Sequence, residues 1–164
     1  MISSTSKKAV FAGSFDPFTA GHLWVAEHAL KVFDSLTILV AENVRKQSLF
    51  SVSERKKIIE LSTAHLPQVH ADSFSGLTAD YLKAHHIPFL VRGVRGGGDF
   101  EENRNFARIN RDLYPDCETF FLACPPELCA VSSSLVRELL NFNADVSLYV
   151  PPAAREYLET LRRK

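Results

Sequence analysis

Short apolar runs alternate with longer segments of helical periodicity along most of the chain. The runs predict strands near residues 8–12, 36–41, 69–73, 88–92 and 119–123. Between and after them the pattern predicts helices near 20–33, 52–64, 77–86, 99–113, 133–141 and 152–163. In the first helical segment Leu23, Ala26, Leu30 and Phe33 recur at the i, i+3, i+7 spacing of one buried face. Ser51-Val52-Ser53-Glu54 has capping-box spacing and sets the second helix start at about Val52. The third strand has the weakest signal, because Gln68-Val69-His70-Ala71-Asp72 is half polar.

Strict alternation of the two element types predicts a parallel sheet with right-handed crossovers. The fold expected is α/β, a Rossmann-like doubly wound five-stranded parallel sheet with helices on both faces. In such sheets ligands bind beyond the C-terminal strand ends, where the loops converge. With no repeat, linker or low-complexity stretch, residues 1–164 are read as a single domain.

Composition narrows the partners. The chain has 164 residues, 46% hydrophobic and 23% charged, enough to bury a sizeable core. Lys+Arg and Asp+Glu both number 19, so no global basic field points to nucleic acid, and any anion site must be built locally. The polar start Met1-Ile2-Ser3-Ser4-Thr5-Ser6-Lys7-Lys8 lacks a signal-peptide core, and no apolar run reaches the roughly 18–20 residues that span a bilayer. Cys117, Cys124 and Cys129 form no Cys-x-x-Cys pair and are read as reduced, packed thiols. These features point to the cytoplasm and to no membrane partner.

Four candidate motifs fall at strand ends. Gly13-Ser14-Phe15-Asp16-Pro17-Phe18-Thr19-Ala20-Gly21-His22 joins the first strand to the first helix. It offers backbone N–H groups at a helix N-terminus, with His22 on the first turn able to donate to a phosphoryl oxygen. Lys46 follows the second strand and supplies a compact mobile charge. Arg92-Gly93-Val94-Arg95-Gly96-Gly97-Gly98-Asp99 leaves the fourth strand with two forked donors among glycines, and Asp99 is placed as N-cap of the next helix. Val131-Ser132-Ser133-Ser134-Leu135-Val136-Arg137 opens a helix with hydroxyls and N–H groups suited to a triphosphate.

Other conspicuous residues read as structural. Trp24 and the phenylalanines are assigned to the core, and His85-His86 to a helix end. Arg104, Arg108 and Arg111 share a helix face that is either solvated or in a subunit contact.

Thr19-Ala20-Gly21-His22 resembles the [Thr/His]-x-Gly-His signature of the nucleotidyltransferases. Together with Lys46 and Phe50, Arg92-Gly93-Val94-Arg95, Asp99-Phe100-Glu101, Asn110-Arg111-x-Leu113 and Ser132-Ser133-Ser134-Leu135-Val136, the chain resembles the bacterial phosphopantetheine adenylyltransferases over nearly its whole length. The resemblance implies transfer of AMP from ATP to 4'-phosphopantetheine, giving dephospho-coenzyme A and pyrophosphate. It implies that Ser14, Lys46 and Arg92 hold the acceptor phosphate, with Thr78 at the pantetheine arm. His22, Lys46 and Arg95 then form the catalytic set. Ser14, Phe15, His22, Gly93, Val94, Arg95, Asn103 and Ser132 to Ser134 line the ATP site. Mg2+ carried mainly by the triphosphate oxygens, coenzyme A as a feedback ligand and a homohexamer are implied as well. Three positions depart from the family pattern: Ser14 in place of the usual threonine, Asn103 in place of glutamate, and Leu128-Cys129-Ala130 in place of an aromatic-rich approach. Other small nucleotidyltransferases, such as nicotinate mononucleotide adenylyltransferase and glycerol-3-phosphate cytidylyltransferase, share the opening signature. A non-catalytic nucleotide- or coenzyme-A-binding module is the alternative of a different class.

Overall fold

The computed structural model describes residues 6–42 and 47–162. Five strands form one parallel sheet: β1 (Lys8–Gly13), β2 (Ser35–Ala41), β3 (Val69–Phe74), β4 (Phe89–Val94) and β5 (Glu118–Ala123), in the order β3-β2-β1-β4-β5. The helices between and after them are α1 (Ala20–Ala29), α2 (Val52–Ser62), α3 (Thr78–Ala84), α4 (Gly97–Leu113), α5 (Ser133–Asn141) and α6 (Arg155–Arg162). This is the Rossmann-like arrangement that the alternation predicts.

Residue parity along the strands explains the two-sided packing. Ala9 and Phe11 of β1 join Leu36, Ile38 and Val40 of β2 in the larger core, with residues of α1, α2, α5 and α6. Their neighbours Val10, Ala12, Leu39 and Leu90 point the other way, into a smaller core with Tyr81 and Leu82 of α3. A period of two thus sends alternate side chains to opposite helical layers. β3 is an edge strand with no buried residue, which accounts for its half-polar sequence.

Several helix boundaries differ from the sequence expectation, α2 and α3 by one or two residues at their ends, and three differences have a clear local cause. α1 ends at Ala29, and the following turn brings Phe33 N–H to Ala29 O at 2.9 Å, so Phe33 keeps its buried place without being helical. The buried stripe of α1 is Val25, Ala26 and Ala29, with Leu23 and Leu30 only partly covered. Pro151 and Pro152 confine residues 152–154 to one 3-10 turn, which delays α6 to Arg155. α4 starts two residues earlier than expected, with Gly96 as N-cap, so Asp99 is the third helical residue and not the cap.

The sheet order places the site. The chain runs outward from β1 through β2 to β3, then returns to the far side of β1 for β4 and β5. Neighbouring strands β1 and β4 therefore diverge in their connections, leaving a crevice at their C-terminal ends. Ser14 leaves one side of that crevice, and Arg92 to Arg95 leave the other. No helix of the described residues is long and apolar enough to cross a membrane.

Gly93 sets how closely β4 approaches α1. A methyl group there would lie 2.6 Å from Val25 Cγ2, a stiff β-branched side chain in the core. Gly93→Ala is expected to cost about 1–3 kcal/mol through overpacking. Urea unfolding should show a lower midpoint at unchanged slope, and an unmoved midpoint would contradict the packing argument.

Candidate active site

Two cavities meet at the crevice. The first, of about 280 Å³, is lined by the β1–α1 loop, β4 with Arg95, and the start of α5. The second, of about 700 Å³, is bounded by Leu77, Thr78, Phe106, Ile109 and Leu113. Ala12, Gly13, Ser14, Arg92 and Asn103 border both.

His22 is fixed by a reciprocal cap. Thr19 is the N-cap of α1, and its hydroxyl accepts the His22 backbone N–H at 3.4 Å. In return the Thr19 N–H donates to His22 Nδ1 at 3.0 Å. A ring nitrogen that accepts an N–H carries no proton, so the neutral imidazole bears its hydrogen on Nε2. The rings of Phe11, Phe15 and Phe18 surround it at centroid distances of 6.0, 5.0 and 5.4 Å. That burial, and then the charges of Arg95 and Arg92, push the His22 pKa from 6.5 down to about 3. His22 is therefore a neutral, oriented donor in a desolvated place.

The loop carrying Ser14 is pinned from beneath. Phe15 adopts a φ of +47°, unusual for an aromatic residue, with its ring buried against Phe11 and Phe18. Asp16 is 4% exposed and accepts the N–H groups of Leu49 and Phe50, both at 2.9 Å. Arg55 of α2, equally buried, donates from Nη1 to Ser14 O at 2.8 Å, while its Nε has no partner among the described residues. Arg137 of α5 donates to Asp16 O at 2.6 Å.

Arg92 is held on two sides. Its Nε donates to Asn103 Oδ1 at 2.6 Å and its Nη1 to Ala12 O at 2.7 Å. Asp99 and Glu102 favour its charge, against burial that lowers its pKa. Arg95 is more exposed, donating from its backbone N–H and Nε to Asp99 Oδ2 at 3.0 and 3.4 Å and from Nη1 to Val131 O at 3.5 Å.

Each serine of the α5 start has a structural partner. Ser132 Oγ caps the helix by accepting Leu135 N–H at 3.1 Å, and Ser134 Oγ accepts from Arg137 Nη2 at 3.0 Å. Ser133 spends its hydroxyl proton on Pro17 O at 2.8 Å. Ser132 and Ser134 thus keep O–H donors, whereas Ser133 retains its N–H at the positive end of the helix dipole.

The structure brings Ser14, Phe15, His22, Gly93, Arg95, Asn103 and the three serines around the first cavity, and sets Thr78 on the second. Phe15 has its ring in the core, so only its backbone is available to a ligand. Val94 lines neither cavity; its carbonyl accepts Cys124 N–H at 2.8 Å. Lys46 lies outside the described residues. Cys124, pushed up in pKa chiefly by burial, borders the first cavity as a free thiol. Arg104, Arg108 and Arg111 each pair with an acidic residue, Glu101, Asp112 and Glu118 respectively.

Sequence reasoning passed over Arg55 and Asp16 as parts of the site. Arg55 left a readable trace: it shares the i, i+3, i+4, i+7 stripe with Ile58, Ile59 and Ser62, all buried, where a solvated cation does not belong.

Comparison with known proteins finds relatives over nearly the whole chain. A cytidylyltransferase-like family model matches residues 10–139. The phosphopantetheine adenylyltransferase of Thermotoga neapolitana is 43% identical over 155 residues, covering 94% of this chain and 96% of its own. That of Dictyoglomus thermophilum is 42% identical over 151 residues, 92% of both chains. The Shouchella clausii phosphopantetheine adenylyltransferase is 40% identical over 158 residues, 96% of this chain and 99% of its own.

Proposed function

The chain belongs to the phosphopantetheine adenylyltransferase family of cytidylyltransferase-like proteins, and on that premise we propose that it transfers AMP from ATP to 4'-phosphopantetheine, releasing pyrophosphate and forming dephospho-coenzyme A. The observation that carries this reading is the pair of cavities joined at Ser14 and Arg92. Two substrates that must exchange a nucleotidyl group need two compartments with one shared, cationic wall.

ATP occupies the first cavity in this proposal, with Gly93 enclosing the nucleotide. Its β/γ end lies against the α5 start and Arg95, and its α-phosphate against His22. The acceptor phosphate sits at the junction on Ser14 and Arg92, and the pantetheine arm extends along the larger, mainly apolar cavity past Thr78. The acceptor oxygen attacks the α-phosphorus in line and pyrophosphate leaves from the opposite side. Such transfer asks the protein for positioning and charge stabilisation and for no nucleophile of its own. The Nε2–H of His22 donates to the oxygens on which charge develops, and Arg95 with the helix start neutralises the departing pyrophosphate.

Among the described residues lining the first cavity the only carboxylate is Asp99, which is engaged by Arg95 and Asn103. That donor set fits Mg2+ carried by triphosphate oxygens and not by a protein cage. When bound, the ion supplies further neutralisation of the polyphosphate. The proposal places the enzyme in the cytoplasm, and coenzyme A, which bears the same arm, as a competing feedback ligand. A homohexamer is part of the proposal, and exposed apolar residues away from both cavities, such as Phe142 and Leu148, are available to a subunit contact.

Pyrophosphate release with ATP or CTP and a panel of phosphorylated acceptors tests the reading. Turnover is expected with ATP and phosphopantetheine; turnover with another acceptor and none with phosphopantetheine would overturn it. Lys46→Ala should raise the KM for the acceptor by roughly 10-fold, the scale of one charge-assisted contact to phosphate. Unchanged acceptor kinetics would remove Lys46 from the site.

A further inference from the structure

We propose, building on the reaction above, that Asn103 is a positioning residue that works because it is an amide: it holds Arg92 for the acceptor phosphate by accepting from Arg92 and donating to Asp99 at once. Asn103 is 5% exposed, and its Oδ1 accepts Arg92 Nε at 2.6 Å. Its Nδ2 donates to Asp99 O at 2.7 Å and to Asp99 Oδ1 at 3.3 Å. The partners fix which way the amide faces. A guanidinium only donates, so oxygen must meet Arg92; a carbonyl only accepts, so nitrogen must meet Asp99.

Both amide hydrogens are spent on Asp99, so Asn103 has no donor left for a nucleotide. Its effect on substrate passes through Arg92. With Nε on Asn103 and Nη1 on Ala12 O, the remaining Nη2 edge of Arg92 is the one presented to an anion. The pairing is neutral, so it fixes the guanidinium without supplying a counter-charge. Asp99 continues the chain of contacts to Arg95, the arginine assigned to the ATP phosphates.

An aspartate at this position has almost the same shape but no hydrogen when ionised. Its second oxygen would face the carbonyl and carboxylate of Asp99, and Glu102 lies within electrostatic reach of the same arginine. Arg92 and Arg95 are the nearby cations, and His22, kept neutral by burial, faces the same cavity from α1. An ionised carboxylate at 103 would keep its contact with Arg92 as an ion pair but lose the donation to Asp99, so Arg92 would be neutralised where it is to meet the acceptor phosphate.

Steady-state kinetics with ATP and phosphopantetheine for the wild type, Asn103→Ala and Asn103→Asp test this. Asn103→Ala should raise the acceptor KM by roughly 10-fold or more, the consequence of an unpaired, reoriented arginine, while the ATP KM moves far less. Asn103→Asp, which puts a carboxylate in competition with the acceptor phosphate for Arg92, should also raise the acceptor KM far more than the ATP KM, a split that a merely structural role would not produce. If Asn103→Ala fails to fold, the Asn103→Asp kinetics decide alone. An acceptor KM unchanged in either variant, or an ATP KM raised as much as the acceptor KM, overturns the proposal. A wild type that does not turn over phosphopantetheine rejects the reaction itself, which separates the two failures.

Discussion

His22→Ala is expected to lower kcat by roughly 10²-fold or more, the scale of losing one preorganised donor to developing charge. The expectation follows from where the proton sits. Thr19 N–H occupies Nδ1, so Nε2–H is the ring's only donor, and three phenylalanine rings pack around the imidazole and hold its orientation. The donor is neutral, which avoids breaking a tight ion pair when product leaves. KM for ATP should change little, because the interaction strengthens chiefly in the transition state. A mutant with wild-type kcat would remove His22 from the chemistry.

The same burial makes a second, independent reading of His22 measurable. Its folded-state pKa of about 3 lies below the ordinary 6.5, so between those values the unfolded chain binds the proton first. This contribution to stability is complete above pH 6.5 and is lost as pH falls toward 3. Relative to His22→Gln, the wild type should lose about 1.4 kcal/mol per pH unit through that window. Urea unfolding of both proteins at pH 7 and 5 reads the difference; parallel pH dependence would show that His22 protonates as freely folded as unfolded.

Arg92→Ala is expected to reduce kcat/KM for the acceptor by roughly 10²–10³-fold, the range for truncating one partner of a buried charged contact. The guanidinium spans Asn103 Oδ1 and Ala12 O, and Arg92 lines both cavities where they meet. Lysine offers one compact charge and no planar fork, so Arg92→Lys should recover only a small part of the loss. ATP binding, measured by calorimetry without acceptor, should be much less affected. Equal losses for both substrates would show that Arg92 serves the nucleotide, contrary to its assignment.

Much of the fold was legible because its signals are local. Every strand except the half-polar edge strand β3 appeared where a short apolar run met turn residues, and the capping box at Ser51 marked the start of α2. Where locality fails, so did the reading. Phe33 continued the periodicity of α1 although the backbone had already turned. Asp99 resembled a cap by composition, but its carboxylate reaches back to Arg95, and Gly96 takes the cap position.

The site divides in the same way. Ser14, His22, Arg92, Arg95 and Ser132 to Ser134 were visible because each sits at a strand exit or helix start, which the topology gathers at one sheet edge. What they do was less visible. That Ser133 gives its proton to Pro17 depends on residues 116 apart, and that Arg55 supports Ser14 on residues 41 apart. No pattern of periodicity encodes those pairings. They arise only when α2 and α5 pack beside the β1–α1 loop.

The central claim is direct attack of the acceptor phosphate on ATP, with the protein supplying position and charge but no nucleophile. Turnover of ATP made chiral at the α-phosphorus with isotopic oxygen or sulfur tests it in one measurement. A single in-line displacement predicts dephospho-coenzyme A with inverted configuration at that phosphorus. Retention would require two displacements through a nucleotidylated protein side chain, and would contradict the account.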